Sequence, residues 1–286
     1  MKSLLLIILC ILTSFRVNAL NDNTYESLGI DSFQKQEIEE NISAVSKLPV
    51  INISTKNNSE LILSKEEYTD CVVDVFNVED HQKIKEKSAK IKVRGNSTSY
   101  YGNSEKIINS YVPYKIKFTK KTNMLGLNNG EEFKNWVLLK SANNHNSTNL
   151  YNYFPLKIGH TIFGDKYYVS DATLVNLYIN DELKGVYTLC EQNQIHEKRV
   201  NLSVPEKYYN GTDIGYYMEI DNYYLEGDNF YFCMDYENAL VKDIRGQEKP
   251  FREVCYVLKN DIYSQEQVDF ISNYTKNVFK IILLCY

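Results

Sequence analysis

Cysteine is scarce and scattered in this chain. The six cysteines, Cys10, Cys71, Cys190, Cys233, Cys255 and Cys285, form no CxxC pair, which excludes a small disulfide scaffold and a CxxC metal site. The four histidines, His81, His145, His160 and His196, lack zinc spacing. No Walker A loop and no G-x-S-x-G elbow occurs, and there is no internal repeat or low-complexity linker. Basic residues are also in deficit, with 32 Lys and Arg against 37 Asp and Glu. Nucleic acid binding relies on clustered cations, so nucleic acid is excluded as a partner. After the first residues no run is long enough to span a bilayer, the apolar end FKIILLCY included.

The first residues hold one long apolar run. Lys2 precedes LLLIILCIL, and Val17-Asn18-Ala19 offers the small residues a signal peptidase accepts. A membrane anchor needs about 20 apolar residues, and Thr13, Ser14 and Arg16 interrupt the run before that. Residues 1–19 therefore read as a signal peptide cleaved after Ala19, which predicts a secreted or cell-surface protein with no membrane span once cleaved. Losing Lys2 and Arg16 moves the net charge from -5 to -7. A mature chain of about 267 residues has room for one large domain or two small ones. Five cysteines remain, an odd number, so at least one is free or pairs outside the chain; most read as buried small hydrophobes. Asn41, Asn52, Asn57, Asn96, Asn146, Asn201, Asn210 and Asn273 each begin an N-x-S/T triplet, compatible with a secretory glycoprotein.

Residues 20–46 form a polar lead-in with one helix expected around Ser32 to Ser46. Strand-period alternation follows in LPVINIS, CVVDVF, AKIKVRG and PYKIKF, then NWVLL. Cys71, Val73 and Val75 share a face. Ile91 and Val93 point opposite Lys90, Lys92 and Arg94, and Tyr114, Ile116 and Phe118 opposite Lys115 and Lys117. A helix should start near Ser147 or Thr148 and be bent or ended by Pro155. TLVNLYIN and KGVYTLCE read as a hairpin turning at Asp181 to Leu183, and GYYMEID and FYFCMDY as two more strands. Ser264 with Gln267 three residues on caps a final helix carrying Val268, Ile271, Thr275, Val278 and Ile282 at helical spacing. The class is α+β with a largely antiparallel sheet.

One stretch carries two readings. KIKVRGNSTSYYG, Lys90 to Gly102, is a strand breaking into a turn, and that turn is either a cradle for phosphate or a plain turn bearing a glycosylation acceptor.

Taken in order, LPVINISTKNNSELILSKEEYTDCVVDVFN, KIKVRGNSTS, PYKIKFTKKTNMLGL, NWVLL, LYINDELKGVYTLCEQ, KRVNL and GYYMEIDNY resemble the CotH family, the spore coat protein H-like kinases. The resemblance runs from about Leu48 to about Lys280. It implies an atypical kinase-like fold, with a strand-rich N-terminal lobe over ATP and a helical C-terminal lobe, and serine phosphorylation of secreted proteins with ATP and Mg²⁺. Residues 47–286 would be that domain. In this context Gly95 lets backbone N–H groups and the Ser97, Thr98 and Ser99 hydroxyls approach an anion, and Arg94 can grip phosphate through two N–H groups. By analogy with ordinary kinases, Lys115 or Lys117 would reach the same phosphates and Glu191 would orient that lysine. Solvated strand lysines and an edge-capping Glu191 are the plainer alternatives, and Glu219 with Asp221 reads as a solvated E-x-D more readily than as a metal site.

The chain departs from the family pattern. Tyr111-Val112 stands where the family commonly has a basic pair, and Asn146 and Tyr151 where it tends to have Asp and Arg. The family's catalytic Asp and metal-binding Asp, the latter in a Trp-Asp-aromatic-Asp stretch, would lie past the final helix, and the sole tryptophan, Trp136, precedes Val137 and Leu138. The helix running uncapped into IILLCY reads as an incomplete C-terminal lobe, from a truncated gene model or a frame-shifted end. The expectation is a kinase-type ATP-binding scaffold, inactive as this chain and without catalytic or metal residues of its own, whose partner is a secreted or surface protein. The alternative is a non-catalytic surface or adhesion module. Its 24 tyrosines, several in pairs, leave glycan or cell-wall contact open.

Overall fold

In the computed structural model the described residues are 47–95, 97–99, 103–109, 112–140, 150–164, 166–221, 230–234, 240–242, 247–250 and 253–284. The expected signal peptide, the lead-in with its helix, Asn96, the loop 141–149 and Cys285 lie outside them. The chain divides into two compact units, Met1–Asn193 and Gln194–Tyr286.

The first unit grows from the alternation seen in the sequence. Its strands are β1 (Val50–Thr55), β2 (Thr69–Phe76), β3 (Ile84–Val93), β4 (Tyr114–Thr122), β5 (Phe133–Leu139), β6 (Ala172–Ile179) and β7 (Glu182–Glu191). Every second residue of each strand turns to one side, and Ile53, Val73, Ile91, Ile116, Trp136, Leu189 and Leu177 meet there in a single buried cluster. The strands close on themselves in the order β1–β2–β3–β4–β5–β7–β6. Closure comes from one parallel ladder, Val50 to Ile53 on Asn176 to Ile179; the other neighbours are antiparallel. Trp136 keeps its indole N–H satisfied inside the barrel by donating to the carbonyls of Thr122 at 3.0 Å and Phe133 at 3.2 Å.

Two helices accompany the barrel: α1 (Ser104–Asn109), whose Ile107 joins the core, and α2 (Leu150–Phe163). Tyr153 and Leu156 of α2 pack on Val137, Ala172 and Cys190, which face outward from the barrel wall. Pro155 does not end α2, which runs on to Phe163. Pro155 lies beyond the first four positions, whose N–H groups have no partner in any case, so it removes one intrahelical bond, the one to the Tyr151 carbonyl, and the helix continues past it. The β6–β7 hairpin turns on Asn180 and Asp181 alone, with φ of 52° and 63°, as a two-residue type I′ turn requires. Glu182 and Leu183, expected in the loop, begin β7 instead.

The second unit holds a three-stranded sheet in the order β8 (Met218–Ile220), β12 (Val254–Leu258), β9 (Tyr231–Met234), and a two-stranded ladder of β10 (Leu240–Lys242) and β11 (Glu248–Pro250). The helix α3 (Gln265–Leu284) sets Val268 and Ile271 on Phe232, Met234 and Leu258. Its start follows the sequence: the Gln267 N–H donates to Ser264 Oγ at 3.4 Å, and Gln267 Oε1 accepts from the Ser264 N–H at 3.3 Å. Cys233 and Cys255 face each other across β9 and β12 and form a disulfide, while Cys71 and Cys190 are buried thiols.

This architecture overturns the expected α+β kinase-like fold. The strands do not form the open sheet of one lobe facing a helical second lobe; they wrap into a closed seven-stranded barrel. Among the described residues only α2 and α3 are long helices. An inward-facing apolar row reads the same whether the sheet stays open or closes, so alternation alone does not distinguish the two.

Candidate anion-binding site

With Ile91, Val93, Tyr114, Ile116 and Phe118 inside the barrel, the intervening Lys90, Lys92, Arg94, Lys115 and Lys117 stand on its outer wall. Register sharpens the arrangement, because Lys92 lies directly opposite Lys115, and Lys90 opposite Lys117. Like charges facing each other across a strand pair are destabilising. Lys90 is relieved by Asp70 at 3.2 Å. Lys92 and Lys117 lie over the ring of Tyr68, 4.8 Å and 5.9 Å from its centroid, and Lys92 Nζ donates to the Glu66 carbonyl at 3.4 Å. Among the described residues no carboxylate forms an ion pair with Lys92, Arg94, Lys115 or Lys117. Lys115 bears the strain most clearly. Burial pushes its ammonium below the ordinary lysine range, and Lys92, Arg94 and Lys117 push it further down.

The turn that follows is tied to this wall. The Arg94 N–H donates to the Pro113 carbonyl at 3.0 Å, next to the start of β4. Gly95 has φ +88°, where a side chain is strained, and a Cβ there would lie 2.7 Å from Thr98 Oγ1, so that the Thr98 side chain would have to shift. Ser99 is buried and its hydroxyl donates to the Gly95 carbonyl at 2.9 Å. Its one proton closes the turn and is not offered to a ligand. Ser97 opens the 3-10 turn Ser97–Ser99.

Glu191 sits elsewhere. It pairs with Trp136, whose ring is inside the barrel, whereas Lys115 pairs with Val137, and Val137 with Cys190, on the outer wall. Glu191 is 3% exposed; Oε1 accepts from Asn128 Nδ2 at 2.7 Å and Oε2 from the Asp171 N–H at 3.0 Å. Asp171 in turn meets Lys157 of α2 at 3.0 Å. Burial alone would raise the Asp171 carboxyl, but Lys157, the Ala172 N–H and His160 together hold it below the usual range. Asn128, Asp171 and Lys157 carried no sequence motif; only their neighbours in space reveal them.

The structure thus brings together Arg94, Lys115 and Lys117 of the expected site, adds Lys92 and Tyr68, and sets Glu191 apart. Of the E-x-D pair, Glu219 is held by Lys259 at 3.0 Å. Among the described residues the one group with ligand-like spacing is Cys233, Glu253 and Cys255, and its two sulfurs are joined in the disulfide.

No curated protein matches the chain. The family model described as CotH kinase protein matches residues 91–276, from inside β3 through the Arg94-Gly95 turn, Lys115, Lys117 and Glu191 and into α3. With more than half of its length matched, the chain belongs to the CotH kinase family.

Proposed function

We propose that this protein is a secreted CotH-family member that binds the phosphates of ATP on the outer face of β3 and β4. The observation that carries the reading is the set of four cations, Lys92, Arg94, Lys115 and Lys117, none of which forms an ion pair with a carboxylate among the described residues. A triphosphate would supply the missing charge. Arg94 can take two phosphate oxygens at once, Lys115 and Lys117 add point charges, and the glycine turn leaves the approach open. Binding would also draw the Lys115 pKa back up, so part of the strain in the free protein becomes binding energy.

The outer face of β3 and β4 presents cations that fit phosphate, whereas Glu191 and Glu219 are not offered to Mg²⁺. That ion seeks carboxylate oxygens, yet Glu191 spends both of its own on Asn128 and Asp171, and Glu219 is engaged by Lys259. The proposal therefore stops at binding: this chain is read as a phosphate-binding scaffold with no transfer step of its own. Secretion is supported by the apolar leader and by the Cys233–Cys255 disulfide, which suits an oxidising compartment.

Calorimetric titration of the purified chain with ATP tests this. Binding by the wild type, weakened at least tenfold in the R94A/K115A double variant, supports it. Equal affinity of the two proteins removes the site. A wild type that ignores ATP yet attaches to cell surfaces would favour the extracellular binding module instead.

A further inference from the structure

Two N-x-S/T triplets lie five residues apart in the first hairpin and are presented in opposite ways. Asn52 of β1 is 5% exposed, and its Nδ2 donates to Asp181 Oδ1 at 2.8 Å. Asn57 is exposed at φ +56° in the 3-10 turn Lys56–Asn58, and no bond holds its amide. Its neighbour Asn58 supplies the contact to the hairpin instead, with Nδ2 on Asp181 Oδ2 at 3.0 Å. The second unit repeats the open presentation. Asn210 is exposed between two carbonyls, of Tyr209 and Gly211, that are pinned by Gln267 Nε2 at 2.9 and 2.8 Å. Asn201 is exposed in a loop with its amide likewise unengaged.

We propose that Asn57, Asn201 and Asn210 are N-glycosylation sites and that Asn52, despite its matching triplet, carries no sugar in the folded protein. The donor class is an oligosaccharide on a polyprenyl pyrophosphate. The Asn Nδ2 displaces the pyrophosphate at the anomeric carbon: the sugar C1–O bond breaks, a C1–N bond forms, Nδ2 gives up one proton and the lipid pyrophosphate leaves, with no change of oxidation state. At Asn57, Asn201 and Asn210 the bulky product projects into water. At Asn52 it would have to displace Asp181 and open the wall between β1 and the β6–β7 turn, so a chain modified there does not close its barrel.

The inference rests on the secretory part of the proposed function. Its test uses the full chain expressed in a eukaryotic secretory host, once behind its own leader and once behind a host leader. Secreted protein is treated with peptide N-glycosidase in heavy-oxygen water, which marks each formerly glycosylated Asn as labelled Asp, and is mapped by mass spectrometry. Label at Asn57, Asn201 and Asn210 with none at Asn52 is expected, as is the loss of one glycan step on a gel in N57Q. Label at Asn52 in soluble secreted protein, or unlabelled Asn57, overturns the inference. If only the host leader yields protein and the label falls as stated, secretion by the native leader fails while the site assignment stands.

Discussion

Lys115 and Glu191 stand on opposite faces of one sheet with the strand β5 between them. The lysine belongs to the outer cation cluster, and the carboxylate to a buried network with Asn128 and Asp171. Whatever Lys115 binds, Glu191 does not orient it; the glutamate braces the end of the barrel.

Glu191→Gln is therefore expected to leave ATP affinity unchanged while lowering stability. The amide keeps one acceptor oxygen and turns an NH₂ toward a neighbour that is itself a donor. A buried mismatch of this kind costs about 1–3 kcal/mol. Denaturant unfolding followed by Trp136 fluorescence, beside an ATP titration of the same variant, checks both halves. An E191Q protein of normal stability that no longer binds ATP would restore the Lys–Glu pairing.

Gly95→Ala should cost roughly 1–3 kcal/mol, the usual penalty for a side chain held at a left-handed φ, aggravated here by the contact with Thr98 Oγ1. Thermal unfolding measures it. A stability equal to wild type would mean that the turn relaxes and that its geometry is not fixed by the glycine.

Much of this was legible in the chain. Ile91 and Val93 against Lys92 and Arg94, and Tyr114 and Ile116 against Lys115, announce both the strands and the basic outer wall, because side chains alternate. Ser264 and Gln267 mark the start of α3 because their atoms satisfy orphan N–H groups locally. The failures share a cause. Barrel closure depends on β1 finding β6 more than a hundred residues away, and no local pattern names that partner. Glu191 and Lys115 fall on opposite faces because one residue of register exchanges the faces of a strand, and register is fixed by distant pairings. Tyr68, Asn128, Asp171 and the Cys233–Cys255 bond likewise gain meaning only from what folding sets beside them.

Lys140 offers a pH test. Burial pushes its pKa from 10.5 down to about 8, and its ammonium lies over the Tyr187 ring at 4.7 Å. The folded state then holds this proton less firmly than the unfolded chain. The charged lysine costs stability below about pH 8, and the cost fades as pH rises through about 8 toward 10.5, the ordinary value. Unfolding free energies of wild type and Lys140→Met, measured across that range, should differ by an amount that moves in favour of wild type with rising pH. Parallel curves would show that the amine is solvated.

The most direct measurement is lysine acetylation read by mass spectrometry with and without ATP. Without nucleotide, Lys115 should react readily, because its lowered pKa leaves more neutral amine. With saturating ATP, Lys92, Lys115 and Lys117 should be protected together, while the exposed Lys134 on the neighbouring β5 should react as before. Protection spread evenly over all lysines, or none at Lys115, would contradict a phosphate site on the outer face of β3 and β4.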